Sequence, residues 1–71
     1  MAHWVYQGGN QWVNLGSESS NAVEMLFRSY RAGYIMHQRE YAYVDPTNDD
    51  GFGPYIRFSN NVVARIARTG C

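Results

Sequence analysis

The sequence predicts a small α+β domain, a half-open curved antiparallel sheet of about six strands wrapped around one helix in the order β-β-α-β-β-β-β. Three observations carry this. A single segment has helical periodicity. Short runs rich in Tyr, Trp, Val and Ile flank it, separated by Gly, Asn, Asp and Pro. The 71 residues make one domain, residues 1–71, and six short strands in so small a chain cover each other and a helix only by curling.

Residues 3–15 predict a first hairpin. Trp4, Tyr6, Trp12 and Val13 are good strand formers. Gly8-Gly9-Asn10 supplies the positive φ that a tight turn requires. The polar run 16–20 predicts a turn.

The helix is expected over residues 21–32. Val23, Leu26, Phe27 and Tyr30 fall at i, i+3, i+4 and i+7, and so on one face, with Leu26 and Phe27 buried. Asn21 is placed to cap it, with Glu24 reaching back as in a capping box. Gly33 is placed to end it in the left-handed conformation. Arg28 and Arg31 lie near the negative end of its dipole.

Strands are expected at 34–37 and 40–44. Asp45-Pro46 stops regular structure, because proline disfavours helix before it and has no N–H to donate. Residues 45–54 predict a loop built on Asn48, Asp49, Asp50 and two glycines. A second hairpin follows, 55–58 and 62–68 across Ser59-Asn60-Asn61. In its last strand Val62, Ala64 and Ile66 share the apolar face, and Val63, Arg65 and Ala67 share the other. Burying an unpaired guanidinium is costly, so Arg65 is expected at the rim of a cleft or in solvent. Arg68, on the other parity, is expected past the end of the core.

Composition excludes several classes. There is no run long enough to cross a membrane as a helix and no signal-peptide pattern. Cys71 is the only cysteine, so no internal disulfide forms and the expected compartment is cytoplasmic or nuclear. The formal net charge is zero, which argues against binding duplex nucleic acid. All six basic residues are Arg, the residue suited to planar recognition of phosphate or carboxylate, and no acid follows Asp50. The oligomeric state is not legible.

Catalytic and metal motifs are sparse. His3, His37 and Cys71 do not have metal-ligand spacing, and no phosphate loop or nucleophile elbow is present; no metal or cofactor is expected. His37, Arg39 and Glu40 have the residue types for general acid–base cleavage of RNA. In a continuous strand, however, His37 and Arg39 point one way and Glu40 the other. A solvated turn is the expected reading, and the chain is expected not to be an enzyme. What remains is Tyr6, Tyr41, Tyr43 and Tyr55 with the arginines, a set suited to stacking and phosphate pairing.

These residues carry a resemblance. The stretch Trp4-Val5-Tyr6-Gln7-Gly8-Gly9-Asn10-Gln11-Trp12 is similar to the first hairpin of the WWE family, which is named for two Trp and a Glu and occurs in ubiquitin ligases and poly(ADP-ribose) polymerases. Tyr30-Arg31-Ala32-Gly33, Tyr41-Ala42-Tyr43-Val44-Asp45 and Val63-Ala64-Arg65-Ile66-Ala67-Arg68 resemble its helix end, its Tyr-x-Val-Asp strand and its closing basic strand. The chain departs from the family at the loop 45–54, where a Met-x-Gln element is usual; no Gln follows Gln38. The family's helix Glu, one turn before the aromatic, falls here on Phe27 or Leu26.

The resemblance implies a pocket for the iso-ADP-ribose unit of poly(ADP-ribose). Tyr6 matches the stacking Tyr of the first strand, Tyr43 that of the Tyr-x-Val-Asp strand with Tyr41 as its rival, and Arg65 a phosphate-pairing residue. Trp4 and Trp12 match the structural Trp pair. The expected partner is ADP-ribose polymer, or a protein bound by the same fold after loss of the nucleotide site. A small metal-independent ribonuclease is a third reading. A small lectin, suggested by the stretch from Gln11 to Ser17, is disfavoured by the helix.

Overall fold

The structure, a computed structural model, describes residues 2–70; Cys71, expected to form no internal disulfide, lies outside them. Two strands, β1 (His3–Gly8) and β2 (Gln11–Asn14), precede the single helix α1 (Ser17–Arg28). Four strands follow: β3 (Gly33–His37), β4 (Glu40–Asp45), β5 (Tyr55–Arg57) and β6 (Val63–Thr69). They form one open antiparallel sheet in the order β2-β1-β6-β5-β4-β3. The expected α+β class and element order are those observed. The helix packs on β1 near one edge and on β3 and β4 at the other, so the sheet bends around it. No helix is long and apolar enough to cross a membrane, among the described residues.

One face of the sheet meets the helix. Trp4, Ile35, Ala42, Val44, Ile56, Ala64 and Ile66 are buried there, with Leu15 and Val23. Period two places Ala64 and Ile66 inward, as expected, and leaves Val63 and Arg65 exposed. Val62 lies before the strand and is exposed, since it belongs to the turn.

The helix is displaced from its expected span by one turn toward the N-terminus, 17–28 in place of 21–32. The polar run expected as a turn supplies its first turn. Ser20 Oγ accepts the Trp4 N–H at 2.9 Å, and Ser19 Oγ shares a 2.8 Å hydrogen bond with His37 Nδ1. Two adjacent buried serines thus tie the helix start to β1 and to β3. Neither Asn21 nor any other side chain caps the helix; the N-cap is Gly16, at φ 93°.

The helix ends at Tyr30, three residues before the expected Gly33. Tyr30 takes φ 57°, the Arg31 N–H donates to Leu26 O at 2.9 Å and the Tyr30 N–H to Phe27 O at 3.1 Å. This is a Schellman motif with tyrosine where glycine is favoured. Tyr30 is therefore exposed, not on the core face, and Arg31 lies beyond the helix. Leu26 and Phe27 are half-buried against the core rather than enclosed by it. Gly33 pairs with Val44 in β3, where a Cβ would meet Leu26 Cδ2 at 3.3 Å.

Candidate functional site

A cavity of about 320 Å³ opens on the helix-facing side at the end of the sheet, between β1, the β3–β4 turn and the segment after β5. Its lining includes Tyr6, His37 and Phe58. The Tyr6 ring meets Phe58 edge-on at 5.2 Å and His37 at 6.4 Å, and His37 lies 5.8 Å from Phe58. Gln38, Glu40, Ser59 and Asn60 add hydrogen-bonding groups, and Ser59 Oγ donates to the Glu40 carboxylate. Aromatic rings and hydrogen-bonding side chains thus share the lining, which is more polar than apolar.

The β3–β4 turn shapes this cavity. Only Gln38 and Arg39 separate the strands, and His37 pairs with Glu40. Both turn residues have positive φ, 52° and 67°. That is the hairpin turn that favours Asn-Gly, occupied here by two long side chains at a cost of order 1 kcal/mol each. Such strain is commonly retained where a binding site uses it. The turn also corrects the expectation that His37 and Glu40 point apart. Reversal of the chain puts them side by side on the helix-facing side, with His37 buried and not solvated.

The expected ligand residues do not converge. Tyr6 lines the cavity, and Tyr41 joins it. Tyr43 pairs with Arg57, and Arg65 with Tyr55, on the outer face of the sheet, away from the helix. A single site holding Tyr6, Tyr43 and Arg65 is therefore not built. The reason is parity: Tyr43 lies between the buried Ala42 and Val44, so its ring must emerge on the opposite side. No Arg lines the cavity; Arg39, between Gln38 and Glu40 in the turn, is the cation next to it in the chain. Phe58 and His37, which do line it, are legible in the sequence only as an apolar strand end and a turn residue.

Trp4 is enclosed in the core, whereas Trp12 stands half exposed on the edge strand β2 opposite Gln7. Trp4 Nε1 donates to Glu24 Oε1 at 2.9 Å. Glu24 also accepts from Arg28 at 3.0 Å and from Arg68 at 2.9 and 2.7 Å. It is no capping-box residue. The Arg68 hydrogen bonds, with those from Trp4 and Arg28, outweigh burial and lower its pKa to about 2. Arg68 emerges past the core as expected, its guanidinium also 5.1 Å from the Phe27 ring.

No family model matches the chain, and no curated protein or solved structure matches it.

Proposed function

We propose that the chain is a ligand-binding module of the WWE type, and that its site is the cavity over Tyr6. The ligand class is the ring-and-ribose portion of an ADP-ribose-type nucleotide. The observation that carries this reading is the convergence of Tyr6, Phe58 and His37 on one open cavity beside the strained Gln38-Arg39 turn. A planar ring fits against such walls, and Glu40, Ser59 and Asn60 suit ribose hydroxyls. Phosphates would lie outside the mouth toward Arg39, since the carboxylate of Glu40 lines the cavity itself.

The lack of a lining Arg, and the position of Tyr43 and Arg65 on the face opposite Tyr6, favour a second reading, a protein-interaction module on the same fold without nucleotide binding. Calorimetric titration with ADP-ribose and with short ADP-ribose oligomers separates the two. The nucleotide reading expects binding that Tyr6→Ala removes. Silence with every oligomer, from protein shown to be folded, selects the protein partner. Cleavage of RNA is not part of either reading.

A further inference from the structure

The outer face of the sheet is covered by no helix, and its side chains form an ordered set. Tyr34, Tyr43, Arg57 and Val63 are successive cross-strand partners over β3, β4, β5 and β6. Tyr34 and Tyr43 have ring centroids 5.2 Å apart, and Tyr43 and Tyr55 6.4 Å. Phe52 continues the series 6.3 Å from Tyr55, held by the 45–54 loop: Asp50 accepts the Phe52 N–H at 2.8 Å. Two guanidiniums lie over these rings, Arg57 5.4 Å from Tyr43 and Arg65 5.0 Å from Phe52. Tyr34 is 66% exposed, and Phe52 44%, so their rings are open to a partner.

The charges on this face are uncompensated. Among the described residues neither Arg57 nor Arg65 has a carboxylate within ion-pairing distance; both ion pairs of the described residues belong to Glu24 near the helix. Asp45, the carboxylate on the strands of this face, accepts from Thr47. No hydroxyl of Tyr34, Tyr43 or Tyr55 has a hydrogen-bond partner among the described residues.

We infer that this face is a second binding surface, whose occupant is single-stranded RNA. Bases stack on aromatic faces whatever their sequence, and arginines pair with the phosphates between them. A duplex hides its base faces, which leaves the rings without a role. Unpartnered tyrosine hydroxyls match the ribose 2′-hydroxyl, the group that separates RNA from DNA. This surface is distinct from the cavity over Tyr6, which lies on the other side of the sheet.

The test is fluorescence anisotropy at low salt with a labelled single-stranded RNA of about ten nucleotides, within the range one small domain covers. Saturable binding is expected. Tyr34→Ala should weaken it about tenfold, as removal of one stacking ring does. Arg57→Gln or Arg65→Gln should weaken it and reduce the slope of log K against log salt by about 0.7 for each phosphate left unpaired. Tyr6→Ala should leave it unchanged, so that failure of the cavity reading and failure of this one are told apart. Circular dichroism of each variant confirms the fold, which changes at the exposed Tyr34, Arg57 and Arg65 should not disturb. No binding at protein concentrations of about 100 μM would overturn the inference, since useful affinity lies well below that. Equal affinity for the DNA of the same sequence, or for duplex RNA, would overturn it as well. So would dimerisation that covers the face, or capture of a protein partner that Tyr34→Ala and Arg57→Gln abolish while RNA binding is absent.

Discussion

Trp4 and Glu24 are joined by a 2.9 Å hydrogen bond from the indole Nε1, which ties the first strand to the one helix. Because the same carboxylate takes Arg28 and Arg68, it links β1, α1 and β6.

This linkage sets an acid limit on stability. The Glu24 pKa is lowered from 4.5 to about 2, so the native state favours the carboxylate. Its contribution is fully present above the unfolded value near 4.5 and is lost as pH falls through about 2. Urea unfolding of the wild type is expected to show a falling midpoint over that interval. In Glu24→Gln the decline should be shallower and the stability at pH 7 lower, by about 1–3 kcal/mol. An unchanged pH profile in the variant would remove Glu24 from this role.

Tyr30 occupies the helix-ending position in the left-handed region although it is not glycine. It is 78% exposed, so little packing is lost when it is shortened. Tyr30→Gly is expected to stabilise the domain by about 1 kcal/mol, by relief of the Cβ clash. Thermal unfolding measures this, and a lower midpoint in the variant would contradict the assignment.

The helix and its ends also show what the sequence can disclose. Strand propensity and turn residues locate all six strands to within a residue or two. The alternation Ala64, Arg65, Ile66 places Arg65 outward. The helix falls one turn out of place because Ser19 and Ser20 look like turn residues when only local preference is weighed. Their contacts with β1 and β3 are tertiary and override that preference. Tyr30 satisfies the helical spacing, and nothing in a tyrosine announces a left-handed backbone. At the site, Tyr6 is legible from its strand. The company it keeps is not: Phe58 comes from the other end of the chain, and Glu40 reaches His37 only because the chain reverses between them.

The Gln38-Arg39 turn yields a prediction with opposite signs for stability and binding. The double substitution Gln38→Asn and Arg39→Gly supplies the residues this turn favours. It is expected to raise stability by about 1–2 kcal/mol, through release of strain. It is expected to weaken ADP-ribose binding, because Gln38 lines the cavity and Arg39 is the adjacent cation. Paired denaturation and calorimetric titrations check both. A variant that gains stability and binds as tightly as wild type would show that the turn takes no part in the site.

The most direct measurement is an amide NMR titration with a short ADP-ribose oligomer. The proposed function predicts saturable shifts concentrated at Tyr6, His37, Gln38, Glu40, Phe58 and Asn60, and their loss in Tyr6→Ala. Shifts confined to Tyr34, Tyr43, Arg57 and Arg65 on the outer face, or none at saturating oligomer, would contradict it.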